Sequence, residues 1–159
     1  MSQYSILAAR LRNELNKLDA VVATAVNQAQ KAQKTGDQDY LQAAALSLQN
    51  FYMGAERIFE EIAKQVDKSV PAGSSSHREL LEQMSLDLPS IRPPVLPAET
   101  LMPLNDYRGF RHVVIHRYGF ELALDRVKEL VEHLPDCYAL LKRDIESFCQ
   151  FLLMLERAL

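Results

Sequence analysis

Cysteine is scarce in this chain: Cys137 and Cys149 are the two among 159 residues. Twelve residues apart in a strongly helical stretch, they offer neither a disulfide framework nor a thiolate metal site, so both are expected to be reduced and structural. Long apolar runs are missing as well. Nothing approaches the roughly eighteen residues a membrane span needs, and Met1-Ser2-Gln3-Tyr4-Ser5-Ile6-Leu7 lacks a charged leader ahead of an apolar stretch. The expectation is a cytoplasmic protein without a membrane segment. The five glycines are scattered, and neither Gly-x-Ser-x-Gly nor Gly-x-x-x-x-Gly-Lys nor a dinucleotide fingerprint occurs, which removes serine-triad hydrolases and phosphate-loop enzymes. Positive charge has no excess either. Lys and Arg number 18 against 21 Asp and Glu, for a net charge of −3, so any nucleic-acid contact must be local.

What is present is an ordinary foldable composition, 48% hydrophobic and 25% charged, in a length that suits one domain, residues 1–159. Leu7, Leu11, Leu15, Leu18, Val22, Val26 and Ala29 form a stripe of threes and fours, the mark of a long helix. Gly36 suits its left-handed cap and Asp37 the start of the next helix. A second stripe runs through Leu41, Ala45, Leu48, Tyr52, Ala55, Phe59, Ile62 and Val66, and the short link predicts an antiparallel hairpin. Val70 to Ser76 breaks the period, and His77 to Met84 reads as a short helix. Pro89, Pro93, Pro94, Pro97 and Pro103 then predict an extended loop packed on the helices. Helix is expected to resume near Asn105 and end around Gly119. Another runs from about Leu122 to Leu134, with Pro135 breaking or kinking the chain before a last helix carrying Tyr138, Leu141, Ile145, Phe148, Leu152 and Leu155. Sustained strand alternation is absent, so the fold class is all-α: an up-and-down helical bundle with an added short helix and a proline-rich loop.

The stretch from Tyr107 to Phe120 holds three arginines, Arg108, Arg111 and Arg117, and two histidines, His112 and His116, with no carboxylate between Asp106 and Glu121. Such an island suits a phosphate, whose oxygens match the planar guanidinium fork; the alternative is an exposed polar helix face. At about 100° per residue, Arg111 and Tyr118 fall within about 20° of each other while His112 and His116 are one turn apart, so the four share one broad face. Val113, Val114 and Ile115 are then expected to turn largely toward the core. His112 and His116 have the spacing of a metal pair, but no nearby Cys, Asp or Glu completes the shell and the arginines would repel a cation, so no metal is expected. Phe51, Tyr52, Phe59, Phe148 and Phe151 read as core or subunit interface, His77 and His133 as surface or capping groups, and Glu56, Arg57, Glu60 and Glu61 as an exposed charged turn.

Arg111-His112-Val113-Val114-Ile115-His116-Arg117-Tyr118 resembles the Arg-x-x-x-x-His-x-Tyr motif of HepT-type toxins, in the HEPN superfamily of helical ribonucleases. Asn50 to Phe59, His77 to Leu81 and Tyr118 to Glu121 resemble blocks of the same family in the same order; Ser76 departs from it, where relatives often carry an aromatic residue. The resemblance implies a four-helix HEPN-like bundle that forms a homodimer and cleaves RNA without metal or cofactor. It implies Arg111 and His116 as catalytic residues in a cleft between subunits, with His112, Arg108 and Arg117 supporting them or binding RNA. It further implies an MntA-like minimal nucleotidyltransferase antitoxin as partner, which uses ATP to adenylylate Tyr118. Two other readings stay open: a non-catalytic helical partner or substrate-presenting subunit of a nucleotidyltransferase, and a structural bundle with an incidental motif.

Overall fold

The computed structural model describes residues 3–116 and 124–159, with residues 111–116 described by their backbone alone. Helix α1, Gln3–Thr35, runs unbroken because its buried positions Leu7, Leu11, Leu15, Leu18 and Val22 recur every three or four residues. Gly36 ends it with φ +72° and its N–H on the Ala32 carbonyl at 2.9 Å, the left-handed cap that the sequence predicts. Asp37 then accepts the Asp39 N–H at 2.9 Å and starts α2, Asp39–Ile62. This helix packs back on α1, and Gly54 lets the two approach so closely that an added Cβ would lie 2.5 Å from Leu18 Cδ2.

At its end α2 widens into a π turn, Ala63–Asp67, closed by Lys68 at φ 60°. A short helix α3, Ser76–Gln83, and the proline-rich loop lead to α4, Ala98–His116. The helix starts earlier than the prolines suggest. The Pro97 carbonyl accepts the N–H groups of Thr100 and Leu101, both at 3.0 Å, so the helix begins ahead of Pro103 and carries that proline near its N-terminus. One interior hydrogen bond is lost there, and burial of Thr100, Leu104 and Tyr107 offsets it.

Helix α5, Leu124–Ala158, corrects a second expectation, since it passes through Pro135 without ending. Losing that backbone bond costs about 3 kcal/mol. Both halves bury one continuous stripe, Val127, Leu130, Leu134, Tyr138, Leu141 and Ile145, and each such side chain returns roughly 1.5–3 kcal/mol. Helix α5 lies antiparallel to α1, with Arg12 Nε on Glu146 at 3.3 Å and the Tyr138 hydroxyl on the Leu15 carbonyl at 2.7 Å. Helix α4 lies antiparallel to α5, with Tyr107 donating to the Leu130 carbonyl at 2.7 Å and Thr100 to Asp144. The result is the expected all-α, up-and-down bundle, with five α-helices and no strands among the described residues.

Phe51 of α2 stands at its centre, edge-on to Tyr107 of α4 at 5.4 Å and to Tyr138 of α5 at 6.2 Å between ring centroids. Through the Tyr138 hydroxyl on Leu15 and Asp19 the same group reaches α1. Phe51, Tyr52, Phe59 and Phe148 are core residues as read from the sequence, and Phe151 is half-buried against them. No helix among the described residues is long and apolar enough to cross a membrane.

The connection from α2 to α4 is fixed by a buried ion pair. The Arg92 side chain is 0% exposed and that of Asp67 3%, with Nε–Oδ1 at 2.6 Å and Nη2–Oδ2 at 2.8 Å. The remaining guanidinium hydrogens reach the carbonyls of Leu86, Pro93 and Gln83 at 3.0–3.1 Å, so all five donors are used. Gln83 adds a 2.8 Å bond to the same carboxylate. Removing one member of such a pair leaves a buried charge uncompensated, so Arg92→Ala is expected to lower unfolding stability by about 3–5 kcal/mol in urea titrations; a loss below about 1 kcal/mol would contradict the role.

The Asp19 carboxyl is held below its ordinary 3.8, first by the Tyr138 hydroxyl and, against some desolvation, by Lys142. Its contribution to stability is therefore present above pH 3.8 and fades as the pH falls through the lower folded-state value. Chemical denaturation of Asp19→Asn should show a shallower loss of stability below about pH 4 than the parent chain, and an unchanged slope would refute it.

Candidate functional site

Beside the arginine-rich end of α4 lies a cleft of about 720 Å³ between α3, α4 and α5. Its floor is apolar, formed by Leu81, Leu101, Leu130 and Leu140 with the buried Cys137. Asn105 and Arg108 enter from α4, Arg126 and His133 from α5, and Arg78 from α3. Acidic groups alternate with them, and part of the charge is already paired: Arg126 lies 3.1 Å from Glu129 and 4.0 Å from Asp106, and Arg78 lies 3.8 Å from Glu82. Exposed pairs of this kind hold one another loosely and are open to exchange with a ligand.

Arg108 is half-buried, and its Nε donates to Asn105 Oδ1 at 2.9 Å, one turn earlier on the same helix. Of the sequence-predicted site residues, Arg108 is the one whose side chain is described. Arg111, His112 and His116 lie in the last turns of α4, helical through His116, and Arg117 and Tyr118 lie outside the described residues. The expected inward turn of Val113, Val114 and Ile115 concerns side chains that are likewise outside the description.

The helical backbone nevertheless fixes register. Position 111 follows buried Tyr107 by four and buried Leu104 by seven, in helical register with them. Position 112 follows Arg108 by four and Asn105 by seven, and position 116 follows by four more. Those two continue the row along the cleft.

Two tyrosine and carboxylate contacts hold this part of α4 in place, and sequence reading passed over both. Tyr107 is buried with its hydroxyl on the Leu130 carbonyl, and burial drives its pKa well above the ordinary range. Thr100 is fully buried and donates to Asp144, whose other oxygen takes Arg143 Nε at 3.0 Å, while Arg143 reaches Glu99 at 2.7 Å. Contacts 44 residues apart in the chain leave no local sequence signal. Glu56 corrects a smaller expectation. It is buried, 6% exposed, and its Oε2 lies 2.8 Å from His77 Nδ1, joining α2 to α3. A carboxylate on the inner edge of a helix is desolvated only where such a partner meets it. Among the described residues no group of three His, Cys, Asp or Glu side chains could hold a metal.

The described residues form an all-α bundle with a mixed polar and apolar cleft along α4 from Leu101 to Arg108. The chain belongs to the HepT-like family, a HEPN-superfamily group: residues 43–152, more than half of its length, match the family described as HepT-like protein. The match takes in most of α2, the Arg92 connection, α4 with the arginine-rich segment, and most of α5. No curated protein gives a match to the chain, and no solved structure does.

Cys137 is the one thiol in the cleft wall, 3% exposed, with its pKa pushed up to about 12 by burial and then by the Asp106 charge. The thiolate is the reactive form, so the folded protein at pH 8 should leave Cys137 unmodified by a disulfide reagent over minutes and react once unfolded in urea. Rapid labelling of the native chain at Cys137, read by peptide mass, would contradict the packing described.

Proposed function

We propose that the protein is a metal-independent endoribonuclease toxin whose site is formed by Arg111 and His116 at the meeting of two subunits. The observation that carries this reading is the family match spanning an α4 that is helical through His116, so that positions 111 and 116 lie five residues apart on one helix. At 1.5 Å and about 100° per residue they are roughly 7.5 Å apart along the axis and about 140° apart around it.

RNA brings its own nucleophile. Neutral His116 accepts the proton of a ribose 2′-hydroxyl, the 2′-oxygen bonds to the adjacent phosphorus, and the bond from phosphorus to the 5′-oxygen breaks. The departing oxygen takes a proton from an imidazolium, and the products are a 2′,3′-cyclic phosphate and a free 5′-hydroxyl. Arg111 stabilises the charge that grows on the non-bridging oxygens, the task a guanidinium fork does without a metal. One chain supplies one motif histidine, whereas the reaction uses a base and an acid. A two-fold dimer provides both and doubles the positive charge around one groove, against a chain charge of −3. His112 supports the site, and Arg108 and Arg117 bind backbone phosphate. The silencing partner is a minimal nucleotidyltransferase antitoxin: the Tyr118 oxygen gives up its proton and bonds to the α-phosphorus of ATP, pyrophosphate leaves, and the adenylyl group puts a phosphate and its bulk where RNA must lie.

Purified protein is expected to cut RNA with chelator present, and Arg111→Ala and His116→Ala each to lower the rate by at least about 100-fold with unchanged far-ultraviolet circular dichroism. Intact RNA with the parent chain, alongside a tight complex with the nucleotidyltransferase, would favour the non-catalytic partner reading instead.

A further inference from the structure

We propose that the cleft between α3, α4 and α5 is a nucleotide subsite that takes one base, with its phosphate, of the RNA strand flanking the bond to be cut. The inference rests on the ribonuclease reading for its place in the reaction, but the cleft itself is built from residues outside the Arg111 and His116 pair.

Three observations converge on it. The first is shape and lining: a concavity of about 720 Å³ falls in the size range of small-molecule sites, and its Leu81, Leu101, Leu130 and Leu140 floor offers a flat ring the apolar contact that base stacking needs. The second is the polar rim. Among the described residues the Asn105 side chain takes part in one hydrogen bond, through its carbonyl oxygen to Arg108, leaving its amide hydrogens to meet acceptors on a base edge. Among the described residues Arg108 donates through Nε alone, which leaves its terminal nitrogens for a phosphate.

The third observation is direction. Asn105 and Arg108 line the cleft, and positions 112 and 116 continue their row, one and two turns beyond Arg108, or about 6 and 12 Å along the axis. A strand whose ribose meets position 116 and which runs back along this row brings a phosphate past Arg108 and a base to the cleft. Charge on the rim is mixed, with Glu82, Asp106 and Glu129 answering Arg78 and Arg126. Such a rim exerts little pull on a bare polyanion and favours a ligand that fills the apolar floor and satisfies hydrogen bonds together. A phosphate alone would be held weakly, and a nucleotide more firmly.

The test is equilibrium binding of the four ribonucleoside 5′-monophosphates, with inorganic phosphate as the comparison probe, to the full chain. It is repeated on Leu140→Trp, which fills the floor, and on Asn105→Ala, an exposed substitution that the fold tolerates. The proposal expects at least one nucleotide to bind at least about tenfold tighter than phosphate, and both variants to weaken it by about tenfold. No nucleotide binding, binding no tighter than phosphate, or binding untouched by Asn105→Ala would overturn it. So would loss of self-association rather than of nucleotide binding in the filled variant, which would mark the cleft as a contact between copies of the chain. These readouts need no cleavage. Nucleotide binding with the expected variant losses, beside RNA that stays intact, would keep the cleft as a nucleotide site and refute the ribonuclease reading alone.

Discussion

The pairing of Arg92 with Asp67 is the contact on which the placement of α4 depends. A charge pair removed from water is costly unless every donor and lone pair is answered, and here the π turn, the end of α3 and the proline-rich loop each give a group to it. The π turn that closes α2 carries Asp67, the acid of the pair. Beside the pair, α3 buries Leu80 and Leu81, and Met84, Val95 and Leu96 of the connection are buried in the core. The Met84 carbonyl takes the N–H groups of Val95 and Leu96 at 2.8 and 3.1 Å, and α4 starts at a defined point.

From that start the register of α4 is set by burial. Thr100, Leu104 and Tyr107 fall on the side facing the bundle, which leaves Leu101, Asn105 and Arg108 along the cleft. Phe51 makes the same demand from the other side, because its ring meets Tyr107 and Tyr138 edge-on and so locks α2, α4 and α5 together. A one-residue slip in α4 would carry Tyr107 off both the ring and the Leu130 carbonyl and rotate the arginine-bearing row by about 100°. The start and register of α4 are thus set by groups outside the proposed site.

Much of the fold was legible in the sequence because long helices advertise themselves through repeated apolar steps. The α1 and α2 stripes, the Gly36 cap and the short helix after Ser76 fall where the periodicity puts them. Proline misled in both directions. Pro103 and Pro135 sit inside helices because burial on either side outweighs one lost backbone bond, a balance that depends on tertiary neighbours and so leaves no trace in local sequence. The Arg92 pair was not legible, because its partner lies 25 residues away and leaves no local signal. For the site, the motif was visible as a run of residues. The cleft beside it was not, since Arg126, His133 and Cys137 reach it from a different helix.

The account stands most directly on the identity of the nucleophile. A synthetic RNA with a single 2′-deoxyribose at the cleaved position, compared with its all-ribose twin in the presence of chelator, measures this without altering the protein. The account predicts that the substituted strand survives intact while the twin yields fragments ending in a 2′,3′-cyclic phosphate and beginning with a 5′-hydroxyl. Equal cutting of both strands, or fragments beginning with a 5′-phosphate, would show that water attacks instead and would contradict the chemistry assigned to Arg111 and His116.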